Sequence, residues 1–211
     1  MARCSNGIFG TISGALGGLV YSSRHGINYV NVKRVRHNKT QTPAQVNHRA
    51  KFKAAFQFVN ILRDVLNIGF KPYALKKKKG AVNMAMSYTM KNSFTGSGAL
   101  YTINYPNVRI SIGNLSGATD PKVSNISPLD IEFTWKDARE QTFNDLVFVA
   151  VYNPVKQEAV TLVGGNYRTA EKQILTVPST FAGDVVHCYL AFQNARGTEV
   201  SESQYVGSLR V

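Results

Sequence analysis

The chain has 211 residues, 44% of them hydrophobic and 10% aromatic, which is enough apolar material for a buried core and excludes disorder throughout. Twenty-five Lys and Arg against twelve Asp and Glu give a formal net charge of +13, and two cysteines exclude a disulfide framework. The excess charge predicts attraction to polyanions such as nucleic acid, acidic protein surfaces or anionic lipid. A basic surface that only keeps the protein soluble is the alternative.

The positive charge is concentrated in the first half of the chain. Residues 1–104 contain 16 Lys and Arg and one acid, Asp64, whereas residues 105–211 contain nine Lys and Arg and eleven Asp and Glu. Near residue 100 the hydrophobic pattern also changes from helical spacing to alternation. We therefore predict a basic region over residues 1–99, made of a Gly-rich arm, a hairpin and two helices, and an all-β domain over residues 100–211.

The chain begins with an apolar segment that is rich in glycine. Its glycines predict close backbone packing, or an arm that becomes ordered when it meets a neighbour. They also interrupt the apolar run too often for a signal peptide, and no stretch is long enough for a membrane-spanning helix. The glycines of this predicted assembly arm are Gly7, Gly10, Gly14, Gly17 and Gly18. Residues 18–22 and 27–33 then predict a β-hairpin around a turn at residues 23–26.

A strong helix start follows at residues 42–45. Thr42 is the predicted N-cap, Pro43 the first helical residue and Gln45 the partner in a capping box. We predict a helix from Pro43 to about residue 67, a loop over residues 70–79, and a second helix over residues 80–92. The buried face of the first helix is predicted to contain Phe52, Ala55, Phe56, Phe58, Val59, Leu62, Val65 and Leu66.

Basic residues cluster around this helix start. Arg49, Lys51 and Lys53 lie in its N-terminal turns, where cations oppose the helix macrodipole, so a binding partner explains them better than folding does. The four lysines at residues 76–79 are either a solvated loop or an anion contact. The predicted polyanion- or partner-binding residues are Arg24, Lys33, Arg34, Arg36, Lys39, Arg49, Lys51, Lys53, Lys76, Lys77, Lys78 and Lys79.

The second half has the alternation of a β-sandwich. Ile131, Phe133 and Trp135 alternate with polar residues, which predicts one buried and one solvated face. Turn residues separate seven such segments. The predicted strands are residues 108–112, 130–135, 145–152, 159–163, 173–177, 185–193 and 203–209. The predicted fold class is α+β, with an N-terminal β-hairpin and two-helix basic region followed by an immunoglobulin- or fibronectin-III-like sandwich.

No catalytic or metal-binding pattern is recognisable in the sequence. The four histidines, His25, His37, His48 and His187, lack metal-ligand spacing among themselves or with cysteine. Nucleophile, phosphate-loop and metalloprotease motifs are missing, as are zinc-finger and RNP signatures. We therefore predict a protein that is not an enzyme, with no metal, cofactor or small-molecule substrate.

Segments in order over nearly the whole chain carry a resemblance to a known family. They are Ala2-Arg3, Asn6-Gly7-Ile8, Ser13-Gly14 to Gly17, Thr42-Pro43-Ala44-Gln45, Arg49-Ala50-Lys51-Phe52, Asn67-Ile68-Gly69-Phe70, Ser87-Tyr88 to Lys91-Asn92, Val151-Tyr152-Asn153-Pro154 and Val186-His187 to Phe192. Together they resemble an uncharacterised family from Bacteroidota, formally a domain of unknown function. Similar Thr-Pro-Ala-Gln openings after Gly-rich segments occur in small phage-encoded proteins. Cys4 and the long lysine run depart from that pattern.

The combined features predict a non-enzymatic structural or assembly protein. We expect a component of a phage virion or similar multi-copy particle, held by its basic N-terminal half and located in the virion or cytoplasm. Its partners would be other copies of itself or other particle proteins. One alternative is sequence-independent binding of DNA or RNA by the basic half. A cell-envelope interaction module is the other.

Overall fold

The chain forms two compact units, residues 1–42 and residues 43–211. The computed structural model describes residues 2–4, 13–24, 27–35, 40–96, 101–136 and 144–211. The boundary between the units follows Thr42, whereas the sequence predicted a division after residue 99. The helices belong with the β-strands because the two share a hydrophobic core.

The first unit contains a four-stranded antiparallel sheet in the order β1-β4-β3-β2. The strands are β1 (Ala2–Cys4), β2 (Gly14–Leu16), β3 (Leu19–Arg24) and β4 (Ile27–Val32). Strands β3 and β4 form the predicted hairpin, with Leu19 opposite Val32. Gly17 connects β2 to β3 with a φ of +56°, a left-handed conformation that glycine adopts at little cost.

The second unit begins with four helices. They are α1 (Pro43–Ile61), α2 (Arg63–Gly69), α3 (Lys71–Lys76) and α4 (Ala81–Asn92). The predicted single helix over residues 43–67 is divided at Leu62, although the Leu66 N–H still donates to the Leu62 carbonyl at 3.0 Å. The predicted loop over residues 70–79 contains α3, whose first turn accommodates Pro72 because that position needs no N–H donor.

Seven strands then form the predicted β-sandwich. They are β7 (Thr119–Ser127), β8 (Asp130–Lys136), β9 (Leu146–Asn153), β10 (Glu158–Tyr167), β11 (Lys172–Thr176), β12 (Val185–Gln193) and β13 (Gln204–Arg210), after a short hairpin of β5 (Phe94–Thr95) and β6 (Thr102–Ile103). One sheet has the order β10-β9-β12-β13 and the other β11-β8-β7. The predicted strand over residues 108–112 is irregular instead, and the sequence did not predict β7.

One hydrophobic core lies between the two sheets. Trp135 from β8 contacts Phe192 from β12 edge to face, with ring centroids 5.5 Å apart. Cys188 is fully buried in the same layer, and this burial raises the pKa of its thiol to about 12. The predicted burial of Trp135 is therefore confirmed, and its side chain belongs to the core between the two sheets.

A second core lies on the opposite face of the four-stranded sheet of the second unit, β10-β9-β12-β13. Phe58 of α1 contacts Tyr152 of β9 edge to face at 4.9 Å between ring centroids. Gly69 of α2 lies directly against the backbone at Ile110, where an added Cβ would overlap the Ile110 carbonyl oxygen. The second unit consequently has three layers, with the helices, the four-stranded sheet and the three-stranded sheet in that order.

Candidate assembly and binding surfaces

The N-terminal sheet has apolar side chains that the described residues of its unit do not bury. None of the described side chains in residues 1–42 is buried. Leu16 in the edge strand β2 is 66% exposed, Val32 at the end of β4 is 74% exposed, and Val35 just beyond it is 76% exposed. Small sheets depend on a covered hydrophobic face for their stability. This sheet therefore offers apolar contacts to another surface.

The predicted assembly glycines divide between the described and the undescribed residues. Gly7 and Gly10 lie outside the described residues. An added Cβ at Gly14, Gly17 or Gly18 would meet no atom within 4 Å. The described residues therefore do not make the close packing that was predicted for these three glycines. The alternative, an arm that contacts a neighbour, stays a prediction.

Two described basic residues of the first unit lie at the end of the hairpin. Lys33 and Arg34 directly follow β4 and are exposed. The Lys33 backbone N–H donates to the Gly18 carbonyl at 2.7 Å, which fixes the point where the chain leaves the sheet. The side chain of Arg24 and the whole of Arg36 and Lys39 lie outside the described residues. No acidic residue occurs in residues 1–42, so this unit is uniformly basic.

Helix α1 carries an exposed stripe of aromatic and basic side chains, which we call the α1 face: Val46, Arg49, Phe52, Lys53 and Phe56. Phe52 is 47% exposed and Phe56 is 56% exposed, so the prediction that both belong to the buried face is wrong. Their rings are nearly parallel, with an interplanar angle of 12° and centroids 6.4 Å apart. Arg49 and Lys53 are exposed and form no ion pair with any described residue.

Lys51 lies apart from the other two cations of this helix. Two residues separate it by about 200° from Arg49 and Lys53 around the helix axis. Its ammonium group is 5.6 Å from the centroid of the Tyr101 ring, a cation–π contact within the unit. The structure thus groups Arg49 with Lys53 and gives Lys51 a partner elsewhere.

The lysine run at residues 76–79 closes α3. The Lys78 N–H donates to the Leu75 carbonyl and the Lys79 N–H to the Ala74 carbonyl, the hydrogen-bond pattern of a Schellman motif. Lys78 occupies the left-handed position with a φ of +51°, where glycine is usual. Cations at a helix C-terminus are favourable, so these exposed lysines have a local structural role.

The second unit contains a cluster of titratable aromatic side chains around His187, which we considered as a catalytic site. The His187 ring stacks on Tyr105 at 3.7 Å between centroids, and its Nδ1 is 3.0 Å from the Tyr205 hydroxyl oxygen. Burial lowers the pKa of His187 and raises that of Tyr105. Burial and the nearby Tyr105 raise the pKa of Tyr152 to about 12. These shifts favour a neutral imidazole and protonated phenols, the opposite of what activates a phenolate nucleophile.

Among the described residues, no group of three or more His, Cys, Asp or Glu side chains is arranged to hold a metal ion. None of the described helices is long and apolar enough to cross a membrane. The surfaces that remain as candidates are the N-terminal sheet and the α1 face.

Comparison with known proteins places most of the chain in one family. A family model described as a family of unknown function (DUF6266) matches residues 11–207, which confirms the predicted resemblance at that level. The predicted Bacteroidota and phage relatives remain predictions. No curated protein matches the chain. Among solved structures, the fn3 domain of human collagen alpha-1(XX) chain is similar at 15% identity and a TM-score of 0.31, over 46% of this chain and 84% of that one.

Proposed function

We propose that the chain, which belongs to this family of unknown function (DUF6266), is a non-enzymatic assembly protein that joins copies of itself through its N-terminal sheet. The observation that carries the proposal is that none of the described side chains of that four-stranded sheet is buried. A sheet of this kind gains most of its stability when another surface covers it.

The energetics of the exposed side chains support association. Ordering the backbone costs about 1–2 kcal/mol per residue, and apolar burial is the main term that offsets it. Fully burying one Val or Leu contributes about 1.5–3 kcal/mol. Covering Leu16, Val32 and Val35 would therefore contribute several kcal/mol that the isolated unit lacks. Among the described strands, β2 lies at an edge of the sheet, where its backbone groups can pair with an incoming strand.

Charge indicates which surface of a second copy is the partner. Residues 1–42 contain no acid, so pairing two N-terminal sheets face to face would bring like charges together. Residues 105–211 hold eleven of the twelve acids in the chain. The basic sheet of one copy is thus better matched to the sandwich of the next. Such head-to-tail contacts produce rings or filaments, which suit a multi-copy particle.

The type of particle and the relatives are proposed from the sequence, and the class of the sandwich is proposed from its strand order. A phage virion is the proposed particle, because the Gly-rich segment followed by residues 42–45 resembles small phage-encoded proteins. A fibronectin-III-like class is proposed for the sandwich, because three strands in the order β11-β8-β7 face four in the order β10-β9-β12-β13. Bacteroidota relatives are proposed on the same resemblance.

Replacing one exposed valine tests the assembly surface. Val32→Lys places a charge on the N-terminal sheet without touching a buried residue, and Leu75→Lys is the matched control on α3, where Leu75 is 68% exposed and belongs to neither the sheet nor the sandwich. Sedimentation velocity at about 1 M salt, where electrostatic contacts are screened, measures the mass. We expect oligomers for the parent and for Leu75→Lys, and the 23.2 kDa monomer for Val32→Lys. Oligomers of equal size for both variants would count against this sheet as the joint.

A further inference from the structure

The α1 face is an exposed surface that the fold does not use. The helix buries Ala55, Phe58 and Val59 against the rest of its unit and leaves Phe52 and Phe56 about half exposed. Two phenyl rings one turn apart on the solvated side of a helix are unusual, because each loses the free energy of apolar burial. Their position suits contact with a molecule outside the chain.

The charges on the α1 face favour an anionic partner. Arg49 and Lys53 are four residues apart, so they are neighbours on the helix surface and repel one another. Arg49 is the seventh and Lys53 the eleventh of the nineteen residues of α1, and the first turn of the helix contains no acid. A polyanion would remove the repulsion between the two cations. The same charges disfavour a second copy bound through its own α1 face.

The rings narrow the choice among polyanions. The rings of Phe52 and Phe56 are nearly parallel, at 12° to one another, and each side chain is about half exposed, so each can contact a flat group of a ligand. Unpaired nucleic-acid bases stack on aromatic side chains whatever the sequence, while flanking cations contact the phosphates. An acidic peptide supplies the negative charge but not a flat group at each repeat. The combination of rings and cations therefore favours a single-stranded polynucleotide.

We propose that the α1 face binds single-stranded nucleic acid without reading its sequence. Bases stack on Phe52 and Phe56, and phosphates pair with Arg49 and Lys53. Lys51 takes no part, because it lies over Tyr101 on another side of the helix. This site uses no residue of the N-terminal sheet, so separate variants test binding and assembly.

Fluorescence anisotropy with labelled oligo-dT and oligo-rU tests the stacking. The full chain is titrated at about 50 mM and about 200 mM salt. Phe52→Ala combined with Phe56→Ala should weaken binding at least about tenfold, because each stacked base contributes substantially. Leu75→Ala is the matched control, since Leu75 is a 68% exposed apolar residue on α3. Unchanged affinity of the double variant, or no binding by the parent chain, would overturn the proposal.

The salt dependence tests the phosphate contacts. Replacing Arg49 and Lys53 with Gln should reduce the slope of log affinity against log salt by about 1.4, which is about 0.7 for each lost contact with a single strand. Replacing Lys76 and Lys77 with Gln measures any contribution of the lysine run and should leave the slope nearly unchanged.

Poly-glutamate is the competitor that separates the two classes of polyanion. We expect it to displace the oligonucleotide only weakly. Displacement as strong as that by unlabelled oligo-dT would assign the face to an acidic protein partner and contradict a nucleic-acid site. The oligomer mass of the Phe52→Ala, Phe56→Ala double variant should equal that of the parent chain. The oligomer mass therefore distinguishes a failure of the nucleic-acid proposal from a failure of the assembly proposal.

Discussion

The buried side chain of Arg168 holds the edge of the sandwich together through several contacts. Its Nη1 donates to the Ser116 carbonyl at 2.9 Å and its Nη2 to the Gly117 carbonyl at 2.6 Å. The carboxylate of Asp145 is 3.8 Å from Nη1, and the guanidinium carbon is 4.4 Å from the centroid of the Phe192 ring. The side chain is 1% exposed, so water does not substitute for any of these contacts.

Arg168→Met removes the charge and keeps most of the side-chain length. Two carbonyl groups lose their donor and the buried Asp145 loses the adjacent cation, a change that typically costs about 3–5 kcal/mol. With a urea m-value of about 2 kcal/mol per molar, the unfolding midpoint should fall by about 1.5–2.5 M. Trp135, the only tryptophan, donates its indole N–H to the Arg168 backbone carbonyl at 2.8 Å, so its fluorescence reports unfolding at this point.

An exposed cation nearby provides the control for this experiment. Lys172→Met removes the same charge from the exposed side chain of a β11 residue, and its effect should stay within about 0.5 kcal/mol. A loss below about 1 kcal/mol for Arg168→Met would show that the buried contacts contribute little and would refute the reasoning.

Three further substitutions test other parts of the second unit. Gly69→Ala should lower the free energy of unfolding by about 1–3 kcal/mol, as measured by urea denaturation, because the Cβ of the alanine would overlap the backbone at Ile110. His187 has a lowered pKa through burial, so stability should fall as pH decreases through its ordinary value of 6.5, and His187→Gln should flatten that fall in melts at about pH 5 and 8. Lys78→Gly should stabilise the chain by about 0.5–1 kcal/mol, whereas Lys78→Ala should not, because only glycine relieves the positive φ.

Each of these three has an outcome that contradicts it. A neutral Gly69→Ala would mean that α2 is not held tightly against residues 110–111. An unchanged pH profile in His187→Gln would assign the acid sensitivity to other groups. Equal stability of the two Lys78 variants would remove the left-handed conformation as the cause.

The sandwich strands were largely predictable because their side chains show a strong local pattern. The predicted strand over residues 185–193 coincides with β12, and β8 and β9 agree within one residue at each end. Strand β7 was missed because its sequence lacks that pattern. It contains Pro121 and most of its side chains are exposed, as is typical of a strand at the edge of a sheet.

The burial of the α1 residues was only partly predictable. Two apolar stripes overlap on this helix, one through Ala55, Phe58 and Val59 and the other through Phe52 and Phe56. Helical spacing alone assigns all five residues to one broad face. Which stripe is covered depends on the direction from which the sheet packs, and that is a tertiary property.

The layering of the second unit did leave a signal in the sequence. Strands β9 and β12 are nearly continuous runs of apolar residues rather than alternating ones, and nearly all their side chains are buried. Such runs are typical of strands that are covered on both faces. They indicate that helices pack on this sheet, which places the boundary before α1. No comparable signal identifies Arg168, whose contacts are distant in sequence.

We propose above that copies of the chain associate through the N-terminal sheet. Size-exclusion chromatography with light scattering on the unmodified chain tests it most directly, at about 0.1 M and about 1 M salt, with absorbance at 260 and 280 nm to detect bound nucleic acid. We predict a mass several times 23.2 kDa at both salts, with any nucleic acid released at the higher one. A mass of 23.2 kDa at both salts would contradict the claim.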